Sequence, residues 1–169
     1  MIRYVLPTDT ELRITDSVAV DLFHYRQSAS NVLESGGTLL GSCYPDYLLI
    51  DSISIPGFGD KQGRSFFHRS KTRAQTLINH AFYKSDGRRI YIGEWHTHEE
   101  VTPTPSYTDR MELRLAFKRS KLHFDFLIAI IVGNSDRIED SWVGYQDSND
   151  LVECHRLPNV FEHITLVND

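Results

Sequence analysis

The sequence has few of the features that would place a protein outside the cytoplasm or bind it to a membrane. No apolar run approaches the roughly 20 residues that a transmembrane helix needs. The first residues, Met-Ile-Arg-Tyr-Val-Leu-Pro, lack the apolar core and small-residue cleavage site of a signal peptide. The two cysteines, Cys43 and Cys154, form no CxxC pair. We therefore expect a cytoplasmic protein whose cysteines are free thiols rather than a disulfide.

The sequence also lacks an excess of positive charge and a phosphate-binding motif. It carries 23 acidic and 18 basic residues, for a net charge of −5. This balance is not that of a protein that binds nucleic acid or an anionic membrane, and we predict neither partner. The glycines of segment 56–64 do not match a P-loop, so a nucleotide site is not supported. The locally basic stretch 61–73 most simply forms a solvated face, with contact to an acidic partner as the alternative.

The remaining composition is that of an ordinary globular domain, with 40% hydrophobic and 24% charged residues. Its length fits one domain, which we assign to residues 1–169. The hydrophobic periodicity predicts a helix after Asp16 and another that begins at Ser106, whose inward residues are Met111, Leu115, Ala116 and Phe117. It also predicts a helix at 74–82 and strands at 38–44, 47–55, 88–95, 124–132, 138–146 and 151–155. This order indicates an α/β fold with a mixed or largely antiparallel sheet.

The stretch 93–110 contains the residues that are most informative about chemistry. His96 and His98 stand two apart at the end of a predicted strand, so both imidazoles should point to one face. Ser106 follows after seven intervening residues, and Asp109 comes three positions later. Two neutral imidazoles and one carboxylate suit a catalytic zinc site, whose fourth position is left for water.

Each part of this pattern also has a purely structural explanation. Ser-x-x-Asp before an apolar helix matches a capping box, which explains Ser106 and Asp109 without a metal. A histidine pair on a strand often only makes hydrogen bonds in a core. A single glutamate such as Glu34, before two glycines, is more often a solvated residue at a helix end. The cap and the metal site are compatible, because a capped helix start presents its carboxylate in a fixed position.

In combination, these residues resemble the JAMM motif of the JAB/MPN metalloprotease family, written E…H-[ST]-H-x7-S-x2-D. Glu34, His96, His98, Ser106 and Asp109 occupy its five positions with the required spacing. A glycine-rich strand start follows the glutamate here, at positions 36 and 37. The resemblance covers roughly residues 15–146. It implies a single JAB/MPN domain with a mixed sheet flanked by helices, in a cytidine-deaminase-like arrangement.

The resemblance implies a role for each of the five residues. His96, His98 and Asp109 are expected to hold one catalytic Zn²⁺. Glu34 is expected to act as the general base, which takes a proton from the attacking water and later delivers it to the leaving amine. Ser106 is expected to stabilise the developing oxyanion with its hydroxyl.

Members of this family cleave isopeptide or peptide bonds after the carboxyl terminus of ubiquitin or ubiquitin-like proteins. Within the family, the sequence is most similar to the deconjugating isopeptidases of bacterial CBASS anti-phage operons, an integrative-and-conjugative-element JAB subgroup. In those systems an E1/E2-like enzyme attaches a cGAS-like nucleotidyltransferase to target proteins, and the JAMM protein removes it. The resemblance therefore implies a protein-conjugate substrate with an extended carboxyl-terminal tail. Segment 57–64 is the candidate flap that would contact this tail.

Two other functions agree with the same residues. One is a JAMM peptidase that processes the tail of a ubiquitin-like or sulfur-carrier protein. The other is an inactive MPN scaffold, although such scaffolds have usually lost ligands that this sequence retains. Trp95 and Tyr107 flank the motif and either line the cleft or pack in the ordinary way. The sequence leaves open the identity of the substrate tail, the oligomeric state, the order of the flap and the disposition of residues 158–169.

Overall fold

The computed structural model describes residues 1–158, which fold into eleven strands and three α-helices. The helices are α1 (Asp16–His24), α2 (Lys71–Lys84) and α3 (Tyr107–Arg119), and a 3-10 turn covers Ile138–Asp140. The strands are β1 (Ile2–Val5), β2 (Glu11–Ile14), β3 (Gly36–Cys43), β4 (Tyr47–Ile53), β5 (Lys61–Gln62), β6 (Phe67–His68), β7 (Ile90–Thr97), β8 (Leu127–Val132), β9 (Trp142–Gln146), β10 (Leu151–Glu153) and β11 (His155–Arg156). The sequence leaves the disposition of residues 158–169 open, and from 159 on these residues lie outside this description. The single domain over 1–169 stays a prediction.

Nine of these strands form one mixed sheet in the order β10-β9-β8-β7-β3-β4-β2-β1-β11, and β5 and β6 form a separate hairpin. The pairs β2–β4 and β7–β8 are parallel, and the other pairs are antiparallel. The predicted α/β fold with a mixed sheet is thereby confirmed. Cys154 alone separates β10 from β11, which occupy opposite edges of the sheet. The sheet therefore curls until its two edges approach each other.

The helices flank the sheet on both faces. Helix α1 packs through Val18 and Leu22 into the larger core, which also contains Trp95 of β7. On the other face, Leu113 of α3 packs on Ile131 of β8, and residues of both α2 and α3 pack around Tyr91 of β7. Successive strand residues point to opposite faces, so His96 lies on the face opposite to Trp95, with α3. Within residues 1–158, no helix is both long and apolar enough to cross a bilayer.

Some local expectations were wrong. Met111 and Leu115 are 42% and 39% exposed, whereas Leu113 is buried. Apolar residues two positions apart cannot share one helical face, and the sheet selects Leu113 with Ala116 and Phe117, at i, i+3 and i+4. The predicted strand 138–146 begins only at Trp142, because the 3-10 turn precedes it. The predicted strand 151–155 is divided into β10 and β11, which pair with different neighbours.

Candidate active site

The pairing of β3 with β7 brings Glu34 to the histidines from some sixty residues away in the sequence. Gly36 lies opposite His96 in this antiparallel ladder, and the backbone N–H of Thr97 donates to the carbonyl of Ser35 at 2.9 Å. Continuing the same register by one more residue places Glu34 beside His98. Gly36 permits this approach, because a Cβ atom at that position would lie 2.7 Å from the carbonyl oxygen of Trp95.

The histidines and Asp109 form a compact group of three metal-ligating side chains. The Nε2 atoms of His96 and His98 are 3.1 Å apart, and each lies 3.2 Å from a carboxylate oxygen of Asp109. In a tetrahedral zinc site with bonds of about 2.0–2.1 Å, neighbouring ligand atoms are about 3.3–3.4 Å apart. The donor atoms and their separations therefore fit a zinc ion with three protein ligands.

The start of α3 holds Asp109 in this position through a complete capping box. The hydroxyl of Ser106 accepts the N–H of Asp109 at 3.1 Å, and the N–H of Ser106 donates to Asp109 Oδ2 at 2.7 Å. The predicted cap at Ser106 is confirmed. The carboxylate accepts the capping bond and still faces both histidines, so the structural and metal-binding interpretations hold together.

The charges in this group influence one another. Although burial raises the pKa of the Asp109 carboxyl, hydrogen bonds from His96 and His98 outweigh burial and hold that pKa well below its usual range. Burial lowers the pKa of His98, but its hydrogen bond and attraction to Asp109 raise the pKa overall. For Glu34, burial raises the pKa from its usual 4.5 to about 7, against the attraction of both histidines. A carboxyl with that pKa can take up and release a proton near neutral pH.

The hairpin formed by β5 and β6 holds the backbone on which Glu34 lies. The N–H of Glu34 donates to the carbonyl of Gly63 at 2.8 Å, and the side chain of Gln62 donates to the carbonyl of Glu34 at 3.0 Å. Segment 57–64, the candidate flap, therefore includes β5 and lies directly against the glutamate. Among the basic residues of stretch 61–73, Arg69 pairs with Glu94 and Arg73 pairs with Asp60.

The two aromatic residues that flank the motif lie in different surroundings. Trp95 is 1% exposed, packs in the core and donates its indole N–H to the carbonyl of Ser54 at 2.9 Å. Trp95 is therefore a packing residue. Tyr107 is 79% exposed in the first turn of α3, directly after Ser106.

Sequence reasoning missed the hydrogen-bonding residues behind the site. Gln27 and Thr97 are buried, and both bond to the segment that carries Glu34: Gln27 donates to the carbonyl of Val32, and the hydroxyl of Thr97 accepts the N–H of Ser35. Thr97 lies inside the motif, whose fixed [ST] position was a signal for a hydroxyl that makes a specific contact. Gln27 lies in an irregular segment, and no periodicity or spacing distinguishes it.

The arrangement combines the parts that hydrolysis of an amide requires. Three ligating groups lie on one side, a buried carboxyl with a pKa near 7 lies beside them, and a serine hydroxyl lies at the helix start next to Asp109. Such a set supports metal-assisted attack of water on a carbonyl.

The chain is similar to proteins of one known family. The family model described as prokaryotic homologs of the JAB domain matches residues 16–144. A protein of Escherichia coli (strain TW11681) named CD-NTase/cGAS isopeptidase is 34% identical over 143 residues, which cover 85% of this chain and 86% of the relative. A Vibrio cholerae protein of the same name is 34% identical over 140 residues, which cover 83% of this chain and 85% of the relative.

A solved structure supports the fold as well. The solution structure of protein DSY2949 from Desulfitobacterium hafniense superimposes with a TM-score of 0.58, at 19% sequence identity. The match covers 84% of this chain and 88% of that protein. The matched family model covers all three helices, the central strands β3, β4, β7 and β8, and the five motif residues, and the chain therefore belongs to the prokaryotic JAB family of metalloproteases.

Proposed function

We propose that this protein is a zinc-dependent isopeptidase that releases a cGAS-like nucleotidyltransferase (CD-NTase) from proteins to which its carboxyl terminus has been conjugated. The observation that carries the proposal is the group of His96, His98 and Asp109, whose ligand atoms are 3.1–3.2 Å apart with Glu34 beside them. The choice of substrate is supported by relatives named CD-NTase/cGAS isopeptidase, which are 34% identical over most of their length. The proposal also implies a functional link to an E1/E2-like conjugating enzyme.

In this proposal the metal is one Zn²⁺ held by His96, His98 and a carboxylate oxygen of Asp109. When bound there, zinc supplies a Lewis acid for the scissile carbonyl and makes water more acidic. The two imidazoles bind in the neutral form, and the capping bond from Ser106 keeps the carboxylate turned toward them.

Glu34 and Ser106 carry the proton and charge steps. Glu34 accepts a proton as the water oxygen attacks the carbonyl carbon, and it delivers that proton to the lysine amine as the C–N bond breaks. Ser106 accepts the N–H of Asp109, and its hydroxyl keeps a hydrogen that can be donated to the oxyanion. The products are a free carboxyl terminus and a free amine.

The surroundings of the site suit an extended peptide tail. Four apolar side chains near Glu34 and the start of α3 are between 42% and 79% exposed: Leu33, Phe66, Tyr107 and Met111. The hairpin of β5 and β6 offers backbone groups beside them, and added-strand pairing is a common way to bind an extended segment. We therefore retain segment 57–64 as the substrate flap.

The proposal is tested with a CD-NTase joined through its carboxyl terminus to a lysine of a reporter protein. Glu34→Gln should lower kcat about 10²- to 10⁴-fold, because the general base is lost, and leave zinc content unchanged. His98→Ala should lose both zinc and activity. Full activity of Glu34→Gln would contradict the role of this residue, and native protein without about one zinc per chain would contradict the metal assignment.

The same assay separates the alternative functions. A JAMM peptidase that processes the tails of carrier proteins would cleave a ubiquitin-like or sulfur-carrier protein with an extended tail and leave the CD-NTase conjugate intact. An inactive scaffold would bind the conjugate and cleave neither substrate. Either result would overturn the proposed substrate, and only the scaffold result would overturn the proposed chemistry.

A further inference from the structure

Gln27 is a buried polar side chain to which the proposed chemistry gives no role. It is 1% exposed and lies in the irregular segment between α1 and β3. Its Nε2 donates to the carbonyls of Val32 at 3.2 Å and Arg64 at 3.1 Å, and its Oε1 accepts the hydroxyl of Thr97 at 3.3 Å. Both ends of the amide are therefore in use, as a buried amide requires to offset its desolvation.

Thr97 continues this chain of hydrogen bonds to the residue next to Glu34. It is fully buried and lies between His96 and His98. Its Oγ1 accepts the N–H of Ser35 at 3.0 Å, and its own N–H donates to the carbonyl of Ser35 at 2.9 Å. Two bonds thus join the end of β7, where His96 and Thr97 directly precede His98, to the residue that follows the glutamate.

The β5–β6 hairpin makes hydrogen bonds to the backbone of Glu34 itself. Gly63 accepts the N–H of Glu34, and Gln62 donates to its carbonyl. The bond from Gln27 to the carbonyl of Arg64, the residue after Gly63, links this part of the hairpin to the same amide. Gln27 therefore contacts the chain before Glu34, the histidine strand and the hairpin at once.

We propose that Gln27 is a positioning residue, which fixes the Glu34 carboxyl relative to His96 and His98 through Thr97 and the hairpin. The inference rests on the proposed function, because it concerns where the general base stands in that reaction. A misplacement of about 1 Å can lower the rate of a positioned reaction about 100-fold. The effect should fall on kcat, because Gln27 lies behind the site and does not line it.

Gln27→Met removes the amide at similar volume, and Gln146→Met is its matched control. Gln146 is also 1% exposed, and its Nε2 likewise donates to two carbonyls, those of Asp147 at 2.8 Å and Asp150 at 3.2 Å. These bonds lie at the turn after β9 and involve none of the motif residues. Both variants should lose similar stability, but Gln27→Met alone should lower kcat, about 10- to 100-fold, with KM and zinc content near wild type.

Thr97 supplies a second test that does not depend on folding of the Gln27 variant. Thr97→Ser keeps the hydroxyl and should retain kcat within about twofold, whereas Thr97→Val keeps the shape and should lose about 10- to 100-fold. Gln27 and Thr97 act through the same chain of hydrogen bonds. The kcat of the double variant Gln27→Met/Thr97→Val should therefore be little lower than that of either single variant. Equal kcat for Thr97→Ser and Thr97→Val would overturn the proposal, as would equal kcat for Gln27→Met and Gln146→Met.

Hydrogen exchange provides a readout that needs no substrate. The amides of Glu34 and Ser35 should lose protection in Gln27→Met and keep it in Gln146→Met, since only Gln27 bonds to the surrounding segments. Unchanged protection in Gln27→Met would overturn the positioning role whatever the activity. If the two variants show the expected difference in hydrogen exchange but the wild-type protein cleaves no conjugate, the positioning role of Gln27 stands and only the proposed function is contradicted.

Discussion

Ser106 has two predicted roles, and two substitutions at this position can separate them. Its hydroxyl caps α3 by accepting the N–H of Asp109 at 3.1 Å, and in the proposed reaction it donates to the oxyanion. Replacing a capping serine by alanine costs about 1 kcal/mol, whereas glycine costs only a few tenths. Both replacements remove the hydroxyl completely. If the cap matters, Ser106→Ala should therefore be more harmful than Ser106→Gly, and if the hydroxyl matters, the two should be equally harmful.

For stability, Ser106→Ala should lower Tm by about 2–4 °C, and Ser106→Gly should lower it much less. For activity, both variants should lose about 10²- to 10³-fold in kcat, because each lacks the donor. Zinc content should stay near wild type in both, since the hydroxyl is not among the three ligand groups and the N–H of Ser106 still reaches Asp109 Oδ2. Ser106→Thr should retain both the cap and most of the activity.

The measurements are thermal unfolding, metal analysis and steady-state cleavage of the CD-NTase conjugate, made on the same preparations. If Ser106→Gly kept nearly wild-type kcat while Ser106→Ala lost activity, the loss would follow the cap and not the hydroxyl. That result would refute the oxyanion role of Ser106. It would leave the capping box as the complete explanation of the serine.

Two further predictions concern the metal and the thiols. Chelation of zinc should abolish activity, and zinc added at about 100 times its Kd should stabilise the wild-type fold by about 2.7 kcal/mol, an increase in Tm that His98→Ala should not show. Burial raises the pKa of the Cys154 thiol to about 12, so that thiol stays protonated up to strongly alkaline pH. Iodoacetamide at pH 8 should therefore modify only the exposed Cys43 in the folded protein, and Cys43→Ser should become reactive only after unfolding; rapid native labelling of Cys154 would show that it is not buried.

Some features of the site can be predicted from residues that are close together in the sequence, and others cannot. The spacing of His96 and His98 and the cap at Ser106 depend on neighbours within a few residues, and the structure has both features. The inward face of α3 was predicted only in part: Ala116 and Phe117 pack against the core as expected, but Leu113 is buried in place of Met111 and Leu115, because only packing selects among these residues. Similarly, the predicted strand 138–146 begins only at Trp142, because Ile138–Asp140 forms a 3-10 turn.

The sequence by itself determined the ligand types, their spacing, the helix cap and the resemblance to a family, because strand alternation and capping act over short distances. Only the tertiary structure decided how Glu34 meets the histidines, since that depends on the register of β3 against β7 across some sixty residues. It also decided the role of Gln27, because two of its three partners, Arg64 and Thr97, are far from it in the sequence. Buried amides find their partners through packing, and packing leaves no periodic pattern along the sequence.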